Sequence, residues 1–321
     1  MRGLWLEDGR LHYREDLRAP ESKDGSSRVR VITAGICATD LALQRGYMQF
    51  RGIPGHEFVG KAIDGPLAGQ RVVGEINAAC GNCGWCRDGM QRHCPQRTVL
   101  GILEHGGAFA EELCLPDENL HPIPDHITSE VATFTEPLAA AFELTEQIDL
   151  EPGTRALVAG DGKLGCLCAW VLSLHGLDVT VAGRHLERKE ILPPDCTLLT
   201  GLLEEIPPAD TATYQLVVEA TGHAHVLPRL LKLLEPRGIA ILKTTTEETT
   251  TLDLAPLVVD EITLLGSRCG PFEPAIQALA DDVIPVAQMI AGCRPLAEAN
   301  AAFDEARQSG NLKVLLDLRA G

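Results

Sequence analysis

Hydrophobic positions follow two different patterns along the chain. As far as about residue 137, short apolar runs alternate with polar stretches and turn residues, which is typical of short strands. From about 138 to 268, strand-like apolar runs alternate with helix-like runs such as CLCAWVLSLHG. The strand-like runs are ALVA (156–159), DVTVAGRH (178–185), YQLVVEATG (214–222), GIAILKTTT (238–246) and EITLLGSR (261–268). This alternation predicts a doubly wound parallel sheet, and therefore an α/β fold.

The tail of the chain, from about residue 269, changes the pattern again. The segments PAIQALADDVI (274–284) and AEANAAFDEARQSG (297–310) predict helices, and LKVLLDL (312–318) predicts a final strand. A length of 321 residues is long for one domain and typical of two, so we expect two domains. The sequence shows no internal repeat and no low-complexity linker between these parts.

Charge and composition narrow the possible partners. The net charge of −17 argues against a nucleic-acid-binding or anionic-membrane surface. No apolar run approaches the roughly 20 residues that a membrane-spanning helix needs, and the N-terminus lacks the apolar core of a signal peptide. We therefore expect a cytoplasmic protein that binds neither nucleic acid nor membrane. In that compartment the eleven cysteines should be reduced thiols or metal ligands.

Four cysteines lie close together in residues 80–94, CGNCGWCRDGMQRHC. Cys80, Cys83, Cys86 and Cys94 have the spacing at which one short loop wraps a single zinc ion in a tetrahedral shell of thiolates. An iron–sulfur cluster and a metal-free cysteine-rich loop remain as alternatives. A zinc site with four cysteine ligands leaves no position for substrate, so this site should be structural and the chemistry should lie elsewhere.

A second possible metal site lies upstream of the four-cysteine loop. The segment VITAGICATDLAL (31–43) has a strand-like run that ends at Cys37, and GIPGHEFVG (52–60) contains the adjacent His56 and Glu57. A cysteine, a histidine and a carboxylate are the ligand set of an open zinc site, which keeps a position for water or substrate. Each fragment alone is a common feature of cores and surfaces, but together they favour a catalytic metal.

A glycine-rich turn joins the strand ALVA to the helix-like run that follows it. Its pattern is G-x-G-x-x-G, in which the glycines permit the turn, the approach of a pyrophosphate and close helix–strand packing. The phosphates would then meet the N–H groups at the helix start. Asp161 adds a negative charge near the expected phosphates, which Lys163 offsets. The residues predicted to bind the dinucleotide here are Gly160, Gly162, Lys163, Leu164 and Gly165.

The order GICATD, GHEFVG and CGNCGWCRDGMQRHC resembles the zinc-containing medium-chain dehydrogenase/reductase superfamily, which includes alcohol, polyol and threonine dehydrogenases. The resemblance covers essentially the whole chain. It implies a GroES-like, mostly β catalytic domain formed by residues 1–137 and 269–321, and a Rossmann-type dinucleotide-binding domain formed by 138–268. It also implies that substrate binds in the cleft between the domains, and that the protein is a homodimer or homotetramer.

The resemblance further implies roles for the residues of the open zinc site. Cys37 and His56 match the ligands of the catalytic zinc, and Glu57 matches a carboxylate that binds or approaches it. In the polyol branch a further carboxylate lies at or near the zinc, and Glu136 in TFTEPLAAA (133–141) occupies the matching position. Alternatively, Glu136 is only a carboxylate at the start of a helix. Thr39 matches the hydroxyl that contacts the substrate oxygen and relays its proton. Many members have a histidine three residues later, where this chain has Ala42.

Alignment with the family also bears on the choice of dinucleotide. NAD-specific sites carry an acid after the second strand, and this chain has Arg184 there, followed by His185. Arginine binds a 2′-phosphate well, so NADP is favoured over NAD, with a solvated basic turn as the alternative. In YQLVVEATG, Thr221 and Gly222 resemble residues that line the cofactor cleft.

Two functional hypotheses follow. The first is a zinc-dependent dehydrogenase with two zinc ions per chain and NADP or NAD. It transfers a hydride between the nicotinamide and an alcohol or carbonyl substrate such as a polyol, sugar or hydroxy-amino acid. The second is a non-catalytic relative that binds a nucleotide as a sensor or structural partner. Ala42 favours the second hypothesis slightly, whereas the intact set of Cys37, His56 and Glu57 favours the first.

Overall fold

Strands dominate the chain as far as Pro122. The computed structural model describes residues 1–201 and 213–319. The strands of this part are β1 Gly3–Glu7, β2 Arg10–Arg14, β3 Ser26–Gly35, β4 Glu57–Ala62, β5 Arg71–Gly74, β6 Asn77–Ala78, β7 Thr98–Leu100, β8 Glu104–His105, β9 Glu112–Pro116 and β10 Leu120–Pro122. Its helices are α1 Ala38–Gln44, α2 Gly84–Arg87 and α3 Ser129–Ala132. Between them lie 3₁₀ turns at Tyr47–Gln49, Gln91–His93 and Asp117–Asn119.

Strands and helices alternate in the middle of the chain. The elements are α4 Thr135–Gln147, β11 Arg155–Ala159, α5 Lys163–Leu174, β12 Asp178–Gly183, β13 Thr197–Thr200, β14 Tyr214–Glu219, α6 Leu227–Leu231, β15 Leu234–Leu242, α7 Leu254–Val259 and β16 Thr263–Gly266. The 3₁₀ turns here are Leu186–Glu190 and Ala224–Val226. In the described residues the strands pair in the order β13-β12-β11-β14-β15-β16, and every pairing is parallel.

The predicted parallel sheet is therefore confirmed, with one strand more than the pattern indicates. The five apolar runs of the sequence correspond to β11, β12, β14, β15 and β16. Parallel strands with both faces covered read as continuous apolar runs, and Leu157, Val158, Val217 and Val218 on β11 and β14 are accordingly buried. The additional strand, β13, is short, lies at the sheet edge and has exposed ends, so it lacks such a run.

The tail returns to the sheet of the first part. It contains α8 Phe272–Ala280, β17 Ile290–Pro295, α9 Ala299–Ala306 and β18 Lys313–Asp317, with 3₁₀ turns at Val286–Met289 and Leu296–Glu298. The sheet order in the described residues is β10-β5-β4-β3-β18-β17, and β9 also pairs with β3. Because β18 pairs antiparallel with β3, placing Leu315 opposite Gly35, the end of the chain lies beside the start of the Cys37 segment.

The chain separates into two compact units. One consists of Met1–Glu136 and Phe272–Gly321, and the other of Pro137–Pro271. The first unit is built on the mixed sheet and the second on the parallel sheet. Among the helices of the described residues, none has both the length and the apolar character needed to cross a membrane.

Candidate functional site

Cys37, His56 and Glu57 lie together in the first unit. Cys37 is the N-cap of α1, just after β3 ends, while Glu57 is the first residue of β4 and His56 directly precedes it. The antiparallel pairing of β3 with β4 places Gly35 opposite Glu57, which joins the two sequence motifs at one sheet end. One ligand atom from each of the three residues lies within 4.8 Å of the others. The structure thus brings these three predicted residues together.

Asp40 organises this group from behind. Its fully buried carboxylate accepts the N–H of Cys37 at 2.8 Å and the N–H of Gly55 at 3.2 Å, and one oxygen lies 3.4 Å from Nδ1 of His56. A carboxylate behind a histidine holds the ring in one orientation and leaves the other nitrogen for a metal. Burial opposes the charged form of His56, but Asp40 and Cys37 outweigh burial and raise the pKa of His56 well above its ordinary value. The groups around the His56 ring therefore favour the protonated, positively charged imidazole when no metal is bound.

Glu57 has a buried counter-ion that the sequence pattern does not reveal. Its carboxylate pairs with the ammonium of Lys313 on β18, and both side chains are fully buried. The ammonium also lies 5.2 Å from the ring centre of Phe134. Gly35 makes room for the pair, because a Cβ there would lie 2.6 Å from Nζ of Lys313 and 2.9 Å from Oε2 of Glu57. Burial lowers the pKa of Lys313 to about 8 against the opposing effect of Cys37 and Asp40.

The other two residues predicted for this site, Thr39 and Glu136, are not part of the group of close ligand atoms. Thr39, which is partly exposed on the first turn of α1, has its hydroxyl 4.0 Å from Sγ of Cys37. Glu136 lies on the first turn of α4 and is partly buried. Within the described residues, the group of mutually close ligand atoms contains Cys37, His56 and Glu57 and does not include Glu136. Ala42 lies on α1 and adds no titratable group there.

The four cysteines of the 80–94 loop form a compact cluster of sulfur atoms. The Sγ–Sγ distances are 3.9 Å from Cys80 to Cys86, 3.5 Å from Cys83 to Cys86, 3.8 Å from Cys83 to Cys94 and 3.6 Å from Cys80 to Cys94. A zinc–sulfur bond of about 2.3 Å gives a tetrahedron whose edges are about 3.8 Å. These sulfur atoms are thus spaced for one ion, and they are far too distant for disulfide bonds, which need about 2 Å.

Short helical turns hold this cluster. Cys83 is the N-cap of α2, Cys86 lies within it, and Cys94 ends the 3₁₀ turn Gln91–His93. Backbone N–H groups, above all that of Cys80, lower the pKa of Cys94 to about 6, while burial raises the pKa of Cys86 to about 12. A cluster of several irons would hold its thiolates farther apart, because each thiolate binds a different iron atom. The spacing therefore favours a single ion.

The glycine-rich turn in the second unit has room where a phosphate would need it. Gly160 has a φ of +106°, and a Cβ there would lie 2.5 Å from the carbonyl oxygen of Ala220. A Cβ on Gly165 would lie 1.9 Å from the carbonyl oxygen of Gly160, so α5 packs directly on the turn. Gly162 is the N-cap of α5 and faces open space. Gly160 and Gly165 are therefore required by the fold, whereas Gly162 leaves the N-terminus of α5 accessible.

Asp161 is directed toward the turn after β12, a role that the sequence pattern does not predict. Its carboxylate accepts the N–H groups of Arg184 and His185 at 2.8 and 2.7 Å, and Nδ1 of His185 lies 3.0 Å away. The buried Arg188 donates from Nε to the carbonyl oxygen of Asp161. A Cβ on Gly183 would lie 2.4 Å from the Asp161 side chain. The backbone of the basic turn is thus held in place, while the side chain of Arg184 is exposed.

Glu219 ties together the carboxyl ends of β14 and β15. It is buried and accepts hydrogen bonds from the N–H and the hydroxyl of Thr221, at 2.7 and 2.6 Å, and from the hydroxyl of Thr244 at 2.9 Å. The Thr244 hydroxyl in turn accepts the N–H of Gly222. Lys243 is buried and donates to the carbonyl oxygen of Ala140 and the hydroxyl of Ser267. Thr221 and Gly222 are therefore fixed at the sheet edge where open parallel sheets bind ligands.

Two family models match the chain, and the second of them runs from the parallel-sheet unit into the tail. Residues 23–125 match the family described as alcohol dehydrogenase GroES-like domain, and residues 129–318 match the family described as glucose dehydrogenase C-terminus. The second match alone spans more than half of the chain. A mixed-sheet unit of GroES-like type and a Rossmann-type parallel sheet are thus both confirmed.

Similar proteins are found over nearly the full length. The chain is 26% identical over 328 residues to D-arabitol-phosphate dehydrogenase of Enterococcus avium, covering 94% of this chain and 92% of the relative. It is 27% identical over 324 residues to erythritol/L-threitol dehydrogenase of Mycolicibacterium smegmatis, covering 90% of each. Among solved structures, an alcohol dehydrogenase of Escherichia coli CFT073 complexed with NADH matches with a TM-score of 0.88 and 25% identity, covering 99% of both chains.

Proposed function

Because the chain belongs to the zinc-containing medium-chain dehydrogenase superfamily of alcohol and polyol dehydrogenases, we propose that it oxidises a hydroxyl group of a polyol, sugar or hydroxy-amino acid with a nicotinamide cofactor. The chain is an oxidoreductase that acts on alcohols. The observation that carries the assignment to zinc chemistry is the group formed by Cys37, His56 and Glu57, whose ligand atoms lie within 4.8 Å of one another.

The catalytic zinc would be held by Cys37, His56 and a carboxylate. Thiolate, imidazole and carboxylate are the donor set of an open zinc site, and Glu57 or Glu136 would supply the carboxylate. A zinc ion held there supplies Lewis acidity, which makes an alcohol easier to deprotonate and a carbonyl easier to reduce. Asp40 would fix the histidine ring, and Lys313 would compensate the charge of Glu57 within the buried part of the site.

Thr39 would handle the substrate proton. Its hydroxyl is partly exposed and lies 4.0 Å from Sγ of Cys37, beside the proposed metal position. A hydroxyl accepts a proton from the substrate only as it passes its own outward. Because position 42 is alanine, we propose that the proton leaves through water or a cofactor hydroxyl rather than through a histidine at that position.

The dinucleotide would lie on the second unit, the dinucleotide-binding domain of the proposal. The glycine turn and the first residues of α5 (Gly160, Gly162, Lys163, Leu164 and Gly165) would hold the pyrophosphate, and Thr221 and Gly222 would line the sheet edge. A nicotinamide cofactor held there would supply hydride transfer. Gly162 supports this placement, since open space surrounds it at a helix N-terminus.

Replacing Gly162 by valine should separate cofactor binding from folding. Gly162 has an ordinary extended conformation, and no atom lies within 4 Å of a Cβ built there. Valine is a poorer N-cap than glycine, so we expect the free energy of unfolding to fall by no more than about 1 kcal/mol, while dinucleotide affinity, measured by titration calorimetry, falls at least about tenfold. In the matched variant Gly165→Ala, the added Cβ meets the Gly160 carbonyl, so stability itself should fall by about 1–3 kcal/mol. An unchanged affinity in Gly162→Val would place the dinucleotide elsewhere.

The turn after β12 supports a preference for NADP. The hydrogen bonds to Asp161 hold the backbone of Arg184 and His185, and the exposed guanidinium of Arg184 is free to turn toward a 2′-phosphate. The proposed site has no carboxylate at position 183 or 184 to bind the ribose hydroxyls of NAD.

The Arg184→Ala variant tests this preference. Loss of a charge-assisted pair to phosphate should lower kcat/KM with NADP by about 10- to 100-fold and leave kcat/KM with NAD within about twofold. Steady-state kinetics with both cofactors measure the ratio, and Arg229→Ala, on α6 of the same unit, is the control. An equal loss with both cofactors would mean that Arg184 does not read the 2′-phosphate.

Zinc content tests the function as a whole. We propose two zinc ions per chain, the second held by Cys80, Cys83, Cys86 and Cys94 in a closed structural site. Elemental analysis of protein purified without chelator should find about two zinc ions per chain. Four- and five-carbon polyols and their phosphates should then reduce NADP or NAD, as the absorbance of the reduced nicotinamide reports. Zinc-loaded protein that binds neither dinucleotide would refute the proposed function, and protein that binds one but oxidises none of these substrates would favour the non-catalytic relative.

A self-association surface is proposed on the second unit. The side chains of Leu254, Val258 and Val259 on α7 are exposed, at 64%, 76% and 77%, and the adjacent β16 is the edge strand of the parallel sheet in the described residues. Apolar patches beside an open strand edge mark contact sites. We propose a second copy as the occupant, which gives a homodimer that can pair further into a homotetramer.

Glutamate at Val258 and Val259 should abolish this association. Light scattering after size exclusion should give about twice 34.5 kDa or more for the wild-type chain and 34.5 kDa for the double variant. Leu186→Glu, a 68% exposed leucine elsewhere in the same unit, is the control and should keep the wild-type mass. A double variant with the wild-type mass would move the interface away from α7.

The proposed compartment is the cytoplasm. The two thiolate-containing groups act as metal ligands only in the reduced state, and a reducing compartment maintains that state.

A further inference from the structure

A third group of metal-binding side chains lies at the carboxyl edge of the parallel sheet. His223 and His225 follow β14, and Glu248 follows β15. One ligand atom from each of the three lies within 4.8 Å of the others. Nδ1 of His223 is 3.7 Å from Oε1 of Glu248, and the two imidazole rings are 5.3 Å apart between centres. All three side chains are exposed, so an ion from solution can reach them.

The two loops that carry this group are held in place before any ion binds. Glu219 connects them at their roots through the hydroxyls of Thr221 and Thr244. Near their tips, the N–H of Ala224 donates to Oε2 of Glu248 at 3.1 Å. The N–H of His223 donates to the Thr221 hydroxyl at 3.1 Å. The backbone therefore presents the donors together, which lowers the ordering cost of binding an ion.

We propose that His223, His225 and Glu248 form a further divalent transition-metal site, with zinc as the ion it takes. Two imidazoles and one carboxylate are ligands that zinc and its neighbours accept, and three protein ligands leave at least one position for water. A simple ion pair between His223 and Glu248 would not require His225 beside them. This site differs from the four-cysteine cluster, which is closed, and from the Cys37 group, which is largely buried. It does not depend on the proposed function.

An ion bound here would join the loop after β14 to the loop after β15. Those loops adjoin Thr221 and Gly222, so the ion would restrain the backbone of the sheet edge. We expect zinc in excess of two equivalents to slow amide hydrogen exchange in residues 221–226 and 244–249.

Stepwise zinc addition tests the site. Protein purified without chelator, with its tightly held zinc in place, is dialysed against increasing micromolar zinc, and bound zinc per chain is measured by mass spectrometry. The wild-type chain should take up about one additional ion. His225→Gln and Glu248→Gln should each weaken that uptake at least about tenfold. His12→Gln, an exposed histidine on β2, is the matched control and should leave uptake unchanged.

Two results would overturn the proposal. One is the absence of uptake beyond the zinc present after purification, and the other is equal uptake by the wild-type chain and both variants. The Cys37→Ala variant distinguishes this proposal from the proposed function. It should lose one zinc ion that the wild-type chain holds at purification, and it should still take up the additional ion. If it keeps all of its zinc at purification, the proposed function fails and this proposal does not.

Discussion

The Cys37→Ala variant is expected to lose at least about a thousandfold in kcat/KM for alcohol oxidation, and to retain one zinc ion fewer than the wild-type chain. Removing a single donor to a developing oxyanion already costs about 10²–10³ in rate, and losing a ligand of the proposed zinc removes the whole charge that polarises the oxygen. Steady-state kinetics and elemental analysis of the same preparation measure the two effects together.

Two companion variants separate chemistry from folding. Cys37 is the N-cap of α1 and its side chain forms one half of a capping box with Asp40, so alanine should also lower stability by up to about 1 kcal/mol. Cys37→Ser restores a good cap with a weaker zinc ligand, and it should recover stability but not activity. Cys293→Ser changes an exposed cysteine on β17 of the same unit and should change neither quantity. A Cys37→Ala variant with wild-type zinc and wild-type activity would refute the role assigned to this residue.

The Lys313→Met variant should be destabilised by about 3–5 kcal/mol, because methionine leaves the Glu57 carboxylate buried without its counter-ion. Both side chains of the pair are fully buried, so water cannot replace the ammonium without rearrangement. Methionine keeps most of the length and apolar volume of the lysine side chain, which limits the contribution of an empty cavity. Denaturant unfolding of these variants in the Cys37→Ala background, where the proposed catalytic zinc cannot neutralise Glu57, measures the free energy.

A second change in the same pair should reverse much of this loss. In Lys313→Met combined with Glu57→Gln, the buried charge is removed, so stability should exceed that of the single variant. Lys61→Met, on the exposed face of β4, is the control and should alter stability by less than about 0.5 kcal/mol. A Lys313→Met variant within that same margin would show that the ion pair does not hold this part of the sheet.

Local patterns predicted five of the six strands of the parallel sheet, and short motifs together with the family resemblance predicted the ligand group. The runs that became β11 and β14 are apolar at nearly every position because both faces of a parallel sheet are covered. Cys37 and His56 were expected together because cysteine, histidine and a carboxylate are the donors of an open zinc site, and because their segments resemble the zinc-containing dehydrogenases. For the parallel strands the physical cause acts within a few neighbouring residues and leaves a visible pattern, whereas the pairing of β3 with β4 that joins Cys37 to His56 leaves no such local pattern.

The partners of these residues could not be predicted, because they depend on distant pairings. Lys313 appears in LKVLLDL as one polar position of a strand, and only the pairing of β18 with β3 places it against Glu57. Asp161 was expected near the phosphates, whereas its carboxylate receives the backbone of the turn after β12. The group of His223, His225 and Glu248 has a His-x-His signal in the sequence, but its carboxylate comes from another loop.

The contact between Asp161 and Gly183 also restricts how this protein can change during evolution. A carboxylate at the end of β12 would suit NAD, and position 183 is one place to introduce it. There the new Cβ would lie 2.4 Å from the Asp161 side chain, and the new charge would face one of the same sign. The substitution is therefore harmful unless position 161 has already changed, so the two positions are epistatic. A lineage of this chain can reach an acid at position 183 by only one order of steps, in which the glycine-rich turn changes first.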